Sequence, residues 1–372
     1  MNKQDWTYKK LGEVCGIYQP KTLSSNMLLP DGKYAVYGAN GIIGRYDKYN
    51  HESSEVLMTC RGATCGTINV SEPFSWINGN AMVIHPQSDE LNKAYLVYVL
   101  KGIDLSNVIT GAAQPQITRQ SLSPTKIPIP PIGEQERIVA ELDLLSGIIE
   151  KKKEQLKAYD QLAQSIFYTM FGDPIDNSKG WETKKLSENV HEMFLGPFGS
   201  ALKVDSYVPK EESYCMVYEQ KHAIQATINL DNHFINKEKF ESLQRFEVKP
   251  HDFIMSCRGT IGRLYQLPEN APKGIIHPSL MKIRIKEEFY NSTFFQFLLV
   301  KIVANESTNG NCVQMAITAK ELGKKELPVP PLSLQQEFAE KIEAIERQKA
   351  LVQQSIEEAQ TMFDFTMDKY FG

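Results

Sequence analysis

The sequence predicts an α+β fold: two similar mixed α/β domains, separated by two long helices that form an antiparallel coiled coil, in a pseudo-two-fold circular arrangement. Three observations predict it: a tandem repeat of short motifs, two segments with coiled-coil periodicity, and the order in which the chain connects them. The predicted segments are 1–131 for the first domain, 132–172 for the central helix, 173–331 for the second domain and 332–372 for the C-terminal helix. A chain of 372 residues suits about two domains.

Four short motifs recur in the same order in the two halves of the chain. WTYKKLGE at Trp6 recurs as WETKKLSE at Trp181, and MTCRG at Met58 recurs as MSCRG at Met255. IPIPP at Ile127 recurs as LPVPP at Leu327, and FG at Phe171 recurs at Phe371. From the proline motif onward, the offset between the copies is a constant 200 residues. Four ordered matches are very improbable by chance, so the chain is a tandem duplication of a globular part followed by a helix.

Each globular half is predicted to mix strands and helices. Short apolar runs bounded by Gly, Pro and Asn predict strands, while two longer apolar segments predict helices. The predicted strands are Val56–Met58, Ala81–Ile84, Phe253–Met255 and Met281–Ile285, and the predicted helices are Ala94–Leu100 and Thr293–Val303.

After each proline motif, apolar residues recur in alternating steps of three and four, which is the pattern of a coiled-coil seam. The predicted seam contains Leu142, Leu145, Ile149 and Leu156 in the first helix and Ile342, Ile345, Val352 and Ile356 in the second. Lys152 interrupts the first seam, and Lys349 and Thr366 interrupt the second. An alternative is two independent amphipathic helices, each packed on its own domain. The narrow seam, with charges around the rest of each helix, favours a helical partner.

The connectivity predicts the direction in which the helices pair. The second domain begins at Trp181, a few residues past the end of the first helix, and it also lies at the start of the second helix. The end of the first helix therefore meets the start of the second, so the pair is antiparallel. A helix from Glu134 to Phe171 would extend ~55 Å at about 1.5 Å per residue.

The composition excludes several classes of protein. The most apolar helical segment, 294–303, is far shorter than the ~20 residues that span a bilayer, so no membrane segment is expected. The six cysteines form no C-x-x-C pair and no cluster with the seven histidines, so we expect reduced thiols, no metal site and a cytoplasmic location. The net charge of −4 divides into −6 on the helical segments and +2 on the globular parts, which is compatible with DNA binding through local basic patches.

The sequence contains no recognisable catalytic motif. An adenine methyltransferase needs an acidic residue or Asn before Pro-Pro-aromatic, whereas the Pro-Pro pairs here lie in Ile129–Ile132 and Val329–Leu332, where they stiffen the approach to a helix. Pro30–Lys33 is similar to a nuclease motif but has the composition of a turn, and no phosphate-binding P-loop is present. We therefore expect no catalytic residue and no cofactor in this chain.

Two arginines, Arg61 and Arg258, occupy equivalent Arg-Gly turns. Each can bring a guanidinium to a phosphate or a guanine, or can brace its own domain by pairing with a carboxylate. Both copies keep the arginine, whereas residues that read bases in two different DNA sequences should differ between the copies. We therefore favour phosphate contact or bracing over base readout, and these two roles stay open.

Polar loops supply the other candidate DNA-binding residues. Glutamine can pair with adenine through two hydrogen bonds, and a merely solvated loop is an equally good interpretation. The candidates are Gln114, Gln116 and Arg119 in the first half, and Gln220, Lys221, Arg263, Asn311 and Gln314 in the second.

The ordered, duplicated motifs resemble those of the specificity subunit of type I restriction–modification enzymes. The match rests on the Trp-x-x-x-x-Leu start of each half, the Arg-Gly turn, the segment Gly111–Thr118, the proline motif with Gln135 or Gln335 after it, and a helix ending in Phe-Gly. It extends over almost the whole chain. The second half departs from the pattern, because Gly310–Thr318 replaces the Gln-Pro-Gln segment.

The resemblance implies a non-catalytic subunit with two target recognition domains, each reading half of a split site in double-stranded DNA, and helices that set the gap. It also implies two adenine methyltransferase subunits as partners docked on the chain, S-adenosylmethionine held by those partners, and often a translocating restriction subunit. Two other functions stay open from the residues alone: a protein-interaction scaffold that does not bind DNA, and a stand-alone DNA-modifying enzyme.

Overall fold

The computed structural model describes residues 6–111, 114–308 and 317–372, and of residues 306–308 it describes the backbone alone. The chain forms two compact units, which are Met1–Gln155 with Val352–Gly372 (unit 1) and Leu156–Leu351 (unit 2). Each unit contains a mixed α/β domain and a part of each of two long helices, which confirms the predicted α+β class.

The elements of the first half begin with a strand at Thr7. The strands are β1 (Thr7–Lys10), β2 (Cys15–Tyr18), β3 (Tyr34–Gly38), β4 (Gly41–Tyr46), β5 (Val56–Thr59), β6 (Ile68–Val70), β7 (Trp76–Ile77), β8 (Ala81–Pro86) and β9 (Lys126–Ile129). The helices are α1 (Leu11–Val14), α2 (Lys93–Gly102), α3 (Arg119–Leu122) and the long α4 (Ile132–Phe171).

The domain of unit 1 is organised around a four-stranded and a three-stranded sheet. The larger sheet is antiparallel with the order β2–β8–β5–β6, and the smaller has the order β4–β3–β7, in which β3 and β7 are parallel. β1 pairs antiparallel with β9, so that Thr7 lies opposite Ile129. The first strand is thereby held against the proline motif that precedes α4.

The strands of the second half follow the same order with one addition, and the second half has two further short helices. The strands are β10 (Thr183–Lys185), β11 (Val190–Leu195), β12 (Cys215–Tyr218), β13 (His233–Ile235), β14 (Glu247–Val248), β15 (Phe253–Ser256), β16 (Leu264–Gln266), β17 (Gly274–Ile276), β18 (Leu280–Ile285) and β19 (Glu326–Pro328). The helices are α5 (Gln220–Gln225), α6 (Lys237–Leu243), α7 (Ser292–Thr308), α8 (Ala319–Gly323) and the long α9 (Leu332–Phe371).

The domain of unit 2 repeats the plan of unit 1. Its antiparallel sheet has the order β11–β18–β15–β16, its second sheet has the order β13–β12–β17–β14 with β12 and β17 parallel, and β10 pairs with β19. Strand β14 extends the second sheet, and helices α5 and α6 have no counterpart in the described part of unit 1. The repeated motifs of the sequence therefore correspond to a repeated fold.

The strands and helices predicted from apolar runs are confirmed. The predicted strands lie in β5, β8, β15 and β18, and the predicted helices lie in α2 and α7. The central strands β5 and β15 are buried along their whole length, because each is covered on both faces. Their sequences consequently lack polar–apolar alternation. The turn residues on either side of these apolar runs are the feature that predicts them as strands.

The long helices run antiparallel within each unit. In unit 1, the hydroxyl of Tyr370, near the end of α9, donates to Glu141 at 2.7 Å, near the start of α4. In unit 2, Phe338, near the start of α9, lies against Phe167, near the end of α4, with ring centroids 5.7 Å apart. The predicted antiparallel pairing is confirmed, and the alternative of two independent helices is wrong.

Most residues assigned to the seam are buried within their units. The buried ones are Leu142, Leu145, Ile149, Ile342, Ile345, Val352 and Ile356. Leu156 is half-buried. Lys349, which interrupts the apolar pattern, forms ion pairs with Asp160 at 2.8 Å and Glu346 at 2.9 Å. A lysine is tolerated at this position because its ammonium reaches carboxylates at the edge of the helix pair.

A buried glutamine joins each long helix to its domain. Gln135 Oε1 accepts a hydrogen bond from the backbone N–H of Asn92 at 2.8 Å. Its Nε2 donates to the carbonyls of Glu90 and Pro130 at 2.7 and 2.8 Å. Gln335 forms the equivalent three bonds in unit 2, with Asn291, Phe289 and Pro330. Both glutamines are fully buried, so each satisfies three backbone groups that have no access to water.

We expect Gln135→Leu to lower the free energy of unfolding by roughly 2–4 kcal/mol, because leucine leaves one donor and two acceptors buried without partners. Urea unfolding of the full chain measures the change. Gln155→Leu is the matched control, since Gln155 is an exposed glutamine on the same helix, and its effect should stay within about 0.5 kcal/mol. Equal effects of the two substitutions would contradict the anchoring role.

Candidate nucleic-acid interface

Four strand ends of unit 1 meet at one edge of the domain. The Gln19 amide, just after β2, donates to Cys60 Sγ and to the Gly79 carbonyl, both at 3.0 Å. The backbone N–H of Cys60, just after β5, donates to the Asn80 carbonyl at 3.4 Å. Thr59 donates to the side-chain oxygen of Asn40 at 3.2 Å, just after β3. These bonds bring together residues that are up to sixty positions apart in the chain.

The Gln-Pro-Gln loop joins this edge through the backbone. The N–H of Gly62 donates to the Pro115 carbonyl at 3.0 Å, and the N–H of Ile117 donates to the Cys60 carbonyl at 3.0 Å. Gly62 has φ +89°, a conformation that favours glycine, so the Arg-Gly turn requires this residue. We call the resulting exposed face the strand-end surface of unit 1; it comprises Gln19, Asn40, Arg61, Asn80, Gln114 and Gln116.

The structure thus places three of the four candidates of the first half on one surface. Arg61 and Gln116 form an isolated backbone bridge, and Gln114 lies two residues away from Gln116. The fourth candidate, Arg119, lies elsewhere. It starts α3 and lines a shallow groove with Lys10 near the beginning of β2.

Four strand ends of unit 2 meet in the same way. The backbone N–H of Gly196, just after β11, donates to the Leu280 carbonyl at 2.9 Å. The Gln220 amide, just after β12, donates to the Arg258 carbonyl at 2.6 Å, just after β15. The backbone N–H of His277, just after β17, donates to the Tyr218 carbonyl at 2.8 Å. Cys257 donates its N–H to the Ser279 carbonyl at 2.9 Å. We call this face the strand-end surface of unit 2; it comprises Phe198, Gln220, Arg258, His277 and Ser279.

The remaining candidates of the second half have different surroundings. Lys221 forms an ion pair with Glu219 at 2.9 Å and donates to the carbonyl of Asp231, so its charge is balanced within the domain. Arg263 is exposed after the Arg-Gly turn, and its backbone N–H donates to Ser256 Oγ at 3.0 Å. Asn311 and Gln314 lie outside the described residues.

Glu219 lies close to the strand-end surface of unit 2, yet its charge is balanced. Burial by itself would raise the pKa of this carboxyl, but hydrogen bonds from Lys221 and His233 outweigh it and hold the pKa below the usual range. The corresponding ion pairs measure 2.9 and 3.0 Å. Glu219 is therefore an anion at neutral pH, and its pairing reduces the repulsion of an approaching phosphate.

Several residues on these surfaces were missed by the sequence analysis. They are Gln19, Asn40, Asn80, Phe198, His277 and Ser279. Their shared feature is a place in the few residues after a strand. The sequence alone does not show which strand ends meet, because it does not give the order of the strands in the sheets. Phe198 is 88% exposed, in the turn that follows β11.

In each unit a glycine permits one close contact between two backbone segments, but the glycine lies on opposite sides of that contact in the two units. In unit 1, a Cβ at Gly79 would lie 2.7 Å from the Pro20 carbonyl oxygen, so the glycine is on the turn between β7 and β8. In unit 2, a Cβ at Gly196 would lie 2.2 Å from the His277 carbonyl oxygen, so the glycine is on the other side, after β11. One glycine in each unit therefore permits this close approach.

Within residues 6–111, 114–308 and 317–372, no group of three or more His, Cys, Asp or Glu side chains is arranged to hold a metal ion. In the same part of the chain, no helix is both long enough and apolar enough to cross a membrane.

The chain is similar to proteins of one family over most of its length. The sequence model of the family described as "Type I restriction modification DNA specificity domain" matches residues 3–158 and 209–361. The putative type I restriction enzyme MjaX specificity subunit of Methanocaldococcus jannaschii is 23% identical over 279 residues, which are 72% of this chain and 64% of that protein. The match therefore spans less than two thirds of this relative's length.

Two solved structures share the fold. The S subunit of a type I restriction–modification system from M. genitalium superposes with a TM-score of 0.57 at 16% identity, covering 99% of this chain and 96% of that chain. A chain from a solved type I R-M system superposes with a TM-score of 0.62 at 18% identity, covering 99% and 97%.

The close approach at Gly196 predicts that Gly196→Ala destabilises the chain by about 1–3 kcal/mol, because the added methyl must displace the backbone at His277. Thermal unfolding measures the loss. Gly199→Ala is the control in the same turn, since a Cβ there meets nothing within 4 Å and φ is not positive. Similar losses in both variants would contradict a specific clash.

Proposed function

We propose, because this chain belongs to the type I restriction–modification DNA specificity family, that it reads the DNA sequence for a type I restriction–modification complex. Each strand-end surface reads one half of a bipartite site in double-stranded DNA. The observation that carries the proposal is the pair of equivalent surfaces, which keep an exposed arginine at one position and differ in the polar residues around it. The chain itself is proposed to have no catalytic activity.

The shared arginine supports phosphate contact over bracing. Arg61 and Arg258 are both exposed, and neither guanidinium forms an ion pair with any of the described residues. A bracing arginine would be paired with a carboxylate of its own domain. An unpaired, exposed guanidinium next to a glycine is suited to a DNA phosphate, which carries no sequence information.

The differing residues support separate readout of two half-sites. Asn40 in unit 1 and Gln220 in unit 2 both follow the strand that pairs in parallel with β7 or β17. Side-chain amides can form two hydrogen bonds with adenine. The glutamine side chain is one methylene longer than that of asparagine, so it reaches deeper into a DNA groove. A protein with one frame and two sets of side chains can read two different sequences.

The partners of this chain are proposed to dock on its long helices. Three apolar residues of these helices stay largely exposed in unit 1, with exposures of 66% for Leu144, 59% for Met362 and 71% for Phe365. Exposed apolar residues on the outer faces of helices can form part of a surface that another subunit covers. We propose two adenine methyltransferase subunits there, which hold S-adenosylmethionine, and translocating restriction subunits in the complete complex. The proposed location is the cytoplasm, where chromosomal DNA is accessible.

We expect Arg258→Ala and Arg61→Ala each to weaken DNA binding by the reconstituted complex without changing the preferred sequence. Loss of one phosphate contact should reduce the slope of log affinity against log salt by about 1. Titration of labelled duplexes over a range of salt concentrations measures both quantities. The control is Arg347→Ala, because Arg347 is exposed on α9 and pairs with Glu343 at 2.6 Å.

Two outcomes of this titration distinguish a failure of the proposed function from a failure of the proposed phosphate contact. A wild-type complex without sequence preference or salt dependence would contradict the proposed function itself. A changed base preference in the Arg258 variant, with an unchanged salt slope, would contradict only the phosphate role.

The helices are proposed to set the gap between the half-sites. Inserting one heptad after Lys153 and one after Gln353 keeps the seam in register and lengthens the helix pair by ~10 Å. That length corresponds to roughly three base pairs, so the unspecified gap should grow while both half-sites stay the same. Affinity should fall, because three base pairs also rotate the second half-site by roughly a third of a turn.

Sequencing the sites methylated by the reconstituted complex measures the gap. A heptad inserted in α4 alone is the control, because it shifts one helix against the other and should abolish assembly. An active complex with paired insertions and an unchanged gap would show that the helices do not measure the spacing.

A further inference from the structure

His277 lies where the strand ends of unit 2 meet. Its backbone N–H donates to the Tyr218 carbonyl at 2.8 Å, and its carbonyl accepts from Leu280 at 2.9 Å. The Gly196 backbone packs closely against the same carbonyl. The side chain is half-buried, so its position is restricted while part of the ring stays accessible.

Ser279 determines which ring nitrogen of His277 carries the proton. The backbone N–H of Ser279 lies 3.2 Å from His277 Nδ1, and the Ser279 hydroxyl lies 2.8 Å from the same nitrogen. A backbone N–H can only donate, so Nδ1 must be an acceptor. The neutral ring therefore carries its proton on Nε2, which has no hydrogen-bond partner among the described residues.

The surroundings of His277 keep the ring neutral. Burial lowers the pKa of His277; Glu219 acts in the opposite direction, while the charges of Arg258 and His233 lower it further. A protonated ring would also place an N–H at Nδ1 against the N–H of Ser279. Nε2–H is thus a fixed donor, because the neutral ring bonded to Ser279 carries its proton there and a protonated ring would carry one there as well.

The equivalent residue of unit 1 shows that the fold does not require histidine here. Asn78 makes the same backbone bond, from its N–H to the Tyr37 carbonyl at 2.9 Å. Its side chain is buried and accepts from the backbone N–H of Leu23 at 2.7 Å. The side chain at this position therefore has an internal role in unit 1, whereas in unit 2 it presents an unused donor beside Gln220 and Arg258.

We propose that His277 is a specificity-determining residue of unit 2, which donates a hydrogen bond from Nε2 to an acceptor on the edge of one base. This inference rests on the proposed function. The acceptors exposed in the major groove are purine N7, guanine O6 and thymine O4. The Ser279 hydroxyl and backbone position the ring, and the neighbouring Gln220 reads an adjacent base.

The test uses His277→Ala and His277→Phe in the complex with methyltransferase subunits, with sequencing of the sites selected from a randomised DNA pool. Both variants lack the donor, and phenylalanine keeps most of the ring volume. Each should reduce discrimination at one base pair of one half-site by about tenfold, with the other half-site unchanged. Gln220→Ala should alter the same half-site.

His251→Asn is the matched control, since His251 is exposed in the same unit and bonds to Glu269 at 2.6 Å. Its selected sites should equal those of the wild type. Unchanged selectivity in both His277 variants, or an equal loss of affinity for every sequence, overturns the inference. If the wild-type complex itself selects no sequence, the proposed function fails instead.

Discussion

One buried glutamine side chain in each half connects the long helix to the globular domain, and the geometry of each unit depends on it. Gln135 and Gln335 each satisfy three backbone groups at the point where the proline motif meets the helix. These groups belong to two separate segments of the chain, the turn before α2 or α7 and the proline motif, so one amide fixes the start of the long helix against both. A residue without both a donor and an acceptor cannot do this, because the unpaired backbone groups would stay buried.

The two domains share the same sheet order, but the side chains at equivalent positions differ. In each unit a buried carboxylate just before the central strand bonds to a nitrogen-bearing side chain on the neighbouring strand. Glu55 bonds to His85 at 2.8 Å in unit 1, and Asp252 bonds to Arg284 at 2.6 Å in unit 2. The Asp252 pair also includes Lys282, at 3.3 Å. The position of the pair is conserved between the units but its members are not, which parallels the differences on the strand-end surfaces.

The candidate interface combines constant and variable positions, and this combination is what a reader of two half-sites needs. The Arg-Gly turn requires glycine at positive φ and recurs in both units, with Gly62 and Gly259 at φ +89° and +64°. The polar residues around it lie in the turns after the strands, and the two units place different side chains there on the same sheet order. Base readout tolerates such exchange, whereas phosphate contact favours one invariant cation.

The sequence by itself determined the duplication, the two long helices, their antiparallel direction and the central strands, because these are local patterns or follow directly from chain order. It also identified Arg61, Gln116, Gln220 and Arg258 as candidates. Only the tertiary structure decided which polar residues meet. Gln19 reaches Gly79, and Gln220 reaches Arg258, through strand pairing between distant segments. The donor state of His277 likewise depends on Ser279, because a proton is placed by hydrogen-bond geometry, which no spacing of residues encodes.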